Sequence, residues 1–210
     1  MKKAKKFLSP KFELELISSQ EYTRVVGIDE VGRGCWAGPV AVGAYVFEVT
    51  SKKVKRVIDS KMLNKLQREE AHAKLSQHEY LVSYGELEDI NSVGVGKTIE
   101  HLIQEIIQKF NNSKTFFLID GQFAANFGKN SKKFIRGDST FYSIAAASIL
   151  AKVERDRLME KLDLEYPEYG FARHKGYGTK AHREALARLG VCNLHRTSYI
   201  PIQNLLKLHN

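Results

Sequence analysis

Cysteine, proline and tryptophan are scarce in this chain: of 210 residues two are Cys, four Pro and one Trp. Cys35 and Cys192 are too few for a disulfide framework or, by themselves, a tetrahedral zinc cluster, so a reducing cytoplasm is the expected setting. Long hydrophobic runs are missing too. No stretch approaches the ~18 apolar residues that cross a bilayer, so no membrane partner is expected. The opening MKKAKKFLSPKFELELI lacks the apolar segment of a secretory signal and reads as a mobile basic arm over residues 1–20. No internal repeat, low-complexity tract or Pro/Ser-rich linker divides the chain, and its length suits one domain at roughly 100 to 200 residues each. Acids are the minority charge. Lys and Arg number 33 against 24 Asp and Glu, a net charge of +9, which points to a polyanionic partner.

What is present is regular. VVGID (25–29) and PVAVGAYVFEV (from Pro39) read as two strands joined by a glycine turn, Gly32 and Gly34. Leu63–Leu75 suggests a surface helix and LVSYGEL (81–87) a third strand. Ile99, Leu102, Ile103, Ile106, Ile107 and Phe110 recur at helical spacing with one buried face. TFFLID follows as a buried strand ending at Asp120, then a loop to Lys133, a strand-like KFIRGD, and the long helical run FYSIAAASILAKVERDRLMEKLDLEY that Pro167 ends. Strands in succession, then strand and helix alternating, predict an α/β fold with a mixed sheet covered by helices.

Acids stand at strand or loop ends beside glycines or one another: Asp29 with Glu30, Asp120 before Gly121, Asp138 after Gly137. Asp beside Gly is ordinary turn chemistry. If these acids converge instead, a bound dication is the economical way to keep them ionised, and hard oxygen ligands suit Mg²⁺ or Mn²⁺. Two such ions would clamp a phosphodiester, one activating water and the other stabilising the leaving oxygen.

The run GIDEVGRGCWAGPVAV, DSK at 59–61, IDG at 119–121, GDSTFYSIAAASILAKVERDRLM from Gly137 and HKGYGTKAH from His174 together resemble ribonuclease HII, in that family's order and over most of residues 25–200. The resemblance implies a ribonuclease H-like fold, a five-stranded mixed sheet flanked by helices in a core over 21–165, with a small C-terminal loop and helical portion over 166–210. It implies an endonuclease that cuts the RNA of RNA–DNA hybrids and cuts 5′ of single ribonucleotides embedded in duplex DNA, leaving 3′-hydroxyl and 5′-phosphate ends. Asp29, Glu30, Asp120 and Asp138 become the four metal-binding carboxylates, with Asp29 bridging two Mg²⁺ or Mn²⁺ ions. Gly32-Arg33-Gly34 becomes the element that senses the 2′-hydroxyl, and Tyr177 the ring that stacks at the RNA–DNA junction. Lys61, Lys175, His195 and Arg196 are candidate phosphate contacts, since basic residues beside catalytic loops hold the backbone. The family is typically monomeric. Asp156, well inside the long helix, reads as a structural salt-bridge residue.

Cys35-Trp36 and Met62 depart from the family pattern near the substrate-facing loop; Cys35 reads as a half-buried packing residue. Ribonuclease HIII shares fold and carboxylates but has GTG-like turns and an extra N-terminal domain, which Arg33 argues against. GVGKT at 94–98 lacks the first glycine and preceding strand of a phosphate-binding loop. A non-catalytic nucleic-acid binder explains the charge but not the acids. The C-terminal QNLLKLHN has Gln203 and Leu206 of a sliding-clamp peptide but not its aromatics; it reads as a helix end, not a clamp partner.

Overall fold

The computed structural model describes residues 7–208. Five strands, β1 (Arg24–Val31), β2 (Val40–Glu48), β3 (Tyr80–Gly85), β4 (Thr115–Asp120) and β5 (Ser131–Phe134), form one sheet in the order β3-β2-β1-β4-β5. β1 pairs antiparallel with β2 and parallel with β4, so the sheet is mixed and β1 is central. The helices are α1 (Lys11–Ser18), α2 (Lys65–Leu75), α3 (Leu87–Val93), α4 (Val95–Phe110), α5 (Tyr142–Glu165), α6 (Phe171–His174), α7 (Lys180–Leu189) and α8 (Ile200–Leu208).

Successive strand side chains point to opposite faces, and the two cores follow that period. Val25, Tyr45, Phe47 and Leu118 meet α5 on one face. Val26, Ile28, Val42, Ala44, Val46 and Ile119 meet Ile99, Ile103 and Ile106 of α4 on the other. Each such side chain taken from water contributes about 1.5–3 kcal/mol, so a strand buried on both faces is apolar throughout. α5 lies close because both surfaces are small. A Cβ on Gly27 would sit 2.1 Å from the Ser143 carbonyl carbon, and one on Gly43 would sit 2.6 Å from the Ala147 oxygen.

The mixed sheet covered by helices expected from the sequence is present, and two local expectations need correction. The basic arm expected over 1–20 contains α1, docked through Ile17 and a buried Glu13; its first six residues lie outside those described. As expected, no strand precedes GVGKT: LEDI is part of helix α3, and Gly94 leads directly into α4. KFIRGD is strand only to Phe134; Arg136 adopts a left-handed conformation (φ 57°) and Gly137–Ser139 makes a 3₁₀ turn.

After the turn at Pro167–Tyr169, the C-terminal portion packs a third apolar cluster, Ala37, Met159 and Phe171, beneath Tyr166, Tyr169 and Leu194. α8 covers Gln203 and Leu206, as the helix-end reading expects.

Candidate active site

Asp29 sits near the carboxyl end of β1 and Asp120 at the carboxyl end of β4. Because the strands are parallel with Ile28 opposite Ile119, the two acids emerge side by side. Ends of neighbouring parallel strands are where α/β sheets place their ligand sites. Asp138 arrives from the 3₁₀ turn before α5, which is tied to β4: the Gly137 N–H donates to Asp120 Oδ1 at 2.8 Å. Carboxylate oxygens of Asp29, Asp120 and Asp138 all lie within 4.8 Å of one another. Glu30, the next residue on β1, pairs with Arg33 at 3.5 Å.

These acids are crowded and dry. Burial pushes the Asp29 carboxyl well up, and the charges of Glu30, Asp120 and Asp138 push the same way against a hydrogen bond from Ser148. Burial also raises Glu30, with Arg33 opposing. Asp138 is raised by burial and by Asp59 and Asp120, with Lys61 opposing from 3.5 Å. Buried carboxylates without full compensation need a counter-ion or a proton. The donor set, three converging carboxylates and no sulfur or imidazole, fits a hard divalent cation.

Lys61 is presented by the turn that Asp59 caps, its carboxylate accepting from the Lys61 N–H at 2.9 Å. Ser60 in that turn is buried and its hydroxyl lies 2.9 Å from that of Ser148 on α5. Ser148 also favours the charged form of Asp29, so the hydroxyl pair links the lysine turn to the neighbourhood of that carboxylate. From the sequence Ser148 reads only as a small residue that lets the long helix pack closely, and Ser60 only as part of DSK.

Beside the acids, two glycine loops are clasped together. Trp36 donates its N–H to Gly176 O at 2.8 Å, and Cys35 forms a β-bridge with Tyr177. A Cβ on Gly32 (φ +89°) would meet Arg155 Nε at 2.2 Å, and one on Gly176 (φ +84°) would meet Ala37 O at 2.2 Å, so only glycine serves at either place. Gly34 is open to solvent-side approach. Arg33 keeps half its side chain exposed, with its guanidinium 5.9 Å from the Phe123 ring centre. Tyr177 is exposed at the lip, with the Lys152 ammonium 5.8 Å from its ring centre.

Arg155, fully buried, donates to Pro39 O at 2.8 Å and Lys175 O at 3.0 Å. Arg196, also fully buried, donates to Gly38 O at 2.9 Å and Arg33 O at 3.1 Å. The Tyr199 hydroxyl also bonds Arg33 O. Arg196 and His195, expected from the sequence as phosphate contacts, are both enclosed, and Arg196 holds the glycine turn. Lys175 is likewise occupied, its ammonium 2.8 Å from Glu160 and 2.6 Å from Ala172 O. Asp156 pairs with Lys152 at 2.7 Å, as expected. Cys35 is fully buried rather than half-buried, its thiol raised by that burial.

Three buried histidines close the clasp. His182 Nδ1 lies 3.0 Å from Tyr177 O and so carries the proton, leaving Nε2 to accept from His195 Nε2 at 3.1 Å. His195 Nδ1 accepts from the Cys192 N–H at 3.0 Å. His174, stacked on His182 at 4.2 Å, donates from Nε2 to Tyr169 O and accepts from the Gly176 N–H. Every ring is thus satisfied as the neutral form. Burial lowers His182 and His195 to about 4 and lowers His174 as well.

The cleft of about 680 Å³ between the end of α5 and α7 is lined by Asp163, Tyr169 and Arg188, and none of the four acids reaches it.

The family model for ribonuclease HII matches residues 26–202, which contain all of these elements except α1 and parts of β1 and α8. The chain belongs to the ribonuclease HII family. Ribonuclease HII of Dehalococcoides mccartyi is 35% identical over 92% of this chain and 93% of its own. Ribonuclease HII of Chlamydia trachomatis serovar A is 40% identical over 91% and 88%. The crystal structure of ribonuclease H2 from Pyrococcus horikoshii superposes with a TM-score of 0.72 at 23% identity, covering 88% of this chain and 98% of that one, a likeness of fold. The chain is accordingly a ribonuclease H enzyme, acting on RNA paired with DNA. No helix among the described residues is long and apolar enough to cross a membrane.

Proposed function

We propose that the enzyme hydrolyses the RNA strand of hybrids and also cuts duplex DNA on the 5′ side of a single embedded ribonucleotide, as part of ribonucleotide removal. The observation that carries this reading is the convergence of Asp29, Asp120 and Asp138 within 4.8 Å beside a clasped pair of glycine loops. Asp29, Glu30, Asp120 and Asp138 hold two divalent ions, Mg²⁺ or Mn²⁺. When bound, these supply Lewis acidity for the phosphate and a more acidic water.

The chain's own residues do the rest. The acids fix the charge at the ends of β1 and β4, while the Asp120 bond to Gly137 keeps Asp138 facing its partners. Lys61, mostly exposed and already 3.5 Å from Asp138, reaches a phosphate oxygen beside the acids. Gly32 to Gly34 bring backbone groups against the sugar, where the 2′-hydroxyl separates RNA from DNA. Tyr177 lays its ring on the deoxyribose that follows the ribonucleotide. The water oxygen bonds to phosphorus as the bond to the upstream 3′ oxygen breaks. That oxygen takes a proton and leaves as the 3′-hydroxyl, and the phosphate stays on the ribonucleotide's 5′ end.

The deciding experiment is cleavage of a DNA duplex with one ribonucleotide, beside an RNA–DNA hybrid, in Mg²⁺, Mn²⁺ or chelator. A metal-dependent nick 5′ of the lone ribonucleotide supports the reading. Cutting of the hybrid alone would remove the junction role given to the glycine loops and Tyr177.

A further inference from the structure

α1 precedes the segment that the family model covers, yet it places a carboxylate in the middle of the fold. Glu13 is fully buried, and its Oε1 accepts from the Ser143 N–H at 2.8 Å and the Ser143 hydroxyl at 2.9 Å. Ser143 is the second residue of α5. The first N–H groups of a helix have no intrahelical partner, and its positive end favours an anion. α5 has no side-chain cap of its own, because Phe141 stands at that position. Glu13 is therefore a cap delivered from outside the helix. Its other oxygen is buried without a hydrogen-bond partner, so the α5 contact is the hydrogen bonding that its burial gains. Packing alone would be served by an apolar residue. Phe12, its neighbour, meets Phe141 edge-on at 5.0 Å, and Phe141 in turn packs on Phe134 at 4.3 Å.

The first turn of α5 is wedged between two of the acids. On one side the Phe141 N–H donates to Gly137 O at 2.8 Å, closing the turn that carries Asp138. On the other, the Ser143 backbone presses on Gly27, two residues before Asp29, with no room for a side chain. We propose that Glu13 is a positioning residue: α1 latches the first turn of α5 and so keeps Asp29 and Asp138 in register. The inference rests on the active-site reading above.

The test uses Glu13→Ala and Glu13→Gln in the full chain, with hydrogen exchange on metal-free protein, calorimetric titration with Mn²⁺ alone, and kcat and KM on a hybrid. For Glu13→Ala, exchange accelerates selectively over residues 137–145, Mn²⁺ binds about tenfold more weakly, and kcat falls about tenfold with KM held within about twofold. Glu13→Gln keeps an accepting oxygen and restores each value to within about threefold of wild type. A Glu13→Ala protein that melts earlier but keeps wild-type local exchange, Mn²⁺ affinity and kcat would reduce Glu13 to a fold stabiliser and overturn the proposal. If that variant does not fold, Ser143→Ala removes one donor and carries the same readouts, expected at about threefold; no change there overturns it equally. Failure of the wild-type protein to cut any hybrid would sink the active-site reading, and the exchange and Mn²⁺ results would still decide the role of Glu13.

Discussion

Two buried charged regions lie side by side, and they settle their charge in opposite ways. At the carboxylate end of β1 and β4, like charges are gathered and left short of partners, so burial and mutual repulsion raise Asp29, Glu30 and Asp138 together. In the clasp a few residues away, Arg155 and Arg196 spend their donors on backbone carbonyls and the three histidines stay neutral. The first region is complete only with a guest of opposite charge. The second is hydrogen-bonded from within, save for Arg196 Nη2, which is buried without a partner. Like charges gathered beside a rigid, hydrogen-bonded support are how a scaffold can hold a repelling constellation in place.

The sharpest way to break the contrast is Asp29→Asn. Cutting should fall by about 10³-fold, with hybrid binding largely kept because phosphate contacts from the basic surface supply affinity. The metal-free variant should also melt higher than metal-free wild type, since one repelling buried charge is gone; calorimetry and a filter-binding assay check both. Full activity in Asp29→Asn would end the assignment.

Next in size is the response to pH of the metal-free protein, where the two regions should pull apart. His182 and His195 bind protons less readily folded than unfolded. Their contribution is whole above the ordinary value of 6.5 and is lost as pH falls toward about 4, roughly 3 kcal/mol for the first proton taken up. The raised carboxyls act the other way, contributing below the ordinary 3.8 of Asp29 and Asp138 and losing that as pH rises through their folded values. Trp36, the single tryptophan, lies in the clasp 6.0 Å from His182, so its fluorescence follows that region. Acid should release the Trp36 signal before the sheet melts by circular dichroism, and Mn²⁺ should stabilise the protein more at pH 8 than at pH 5. Coincident acid transitions by both probes would show the clasp is no separate unit.

The smallest effect tests the division of labour. Tyr177→Ala should slow cutting at a lone ribonucleotide by about tenfold, the worth of one stacking contact, and cost a long hybrid less. Equal losses on both substrates would remove the junction role.

Much of this was legible in the sequence because it follows from local pattern. The α4 face, the buried strands and the acids at their ends all obey a period or a strand-end rule, and the motif order carried the family. What was not legible depends on who meets whom. His195 and Arg196 look like surface cations in a basic chain, and only the packing of Phe171 and the 32–38 loop over them turns them inward. Glu13 sits in a charged opening segment, and nothing nearby in sequence signals that Ser143 lacks a cap. The Ser60–Ser148 contact needs two elements that sequence alone cannot pair. α3 was missed because a single helical turn or two of LEDINSV has too few apolar positions to show a period.

The parallel pairing of β1 with β4 has a consequence for the life of the chain as it is made. Asp29 leaves the ribosome early, but its neighbours Asp120 and Asp138 follow only after β2, β3, α3 and α4, and the helix that seats all three comes later still. Such distant pairings form late, once the cost of closing the long loop is met. A chain that stops before Asp138 therefore lacks one of the three converging carboxylates and the helix packed behind them.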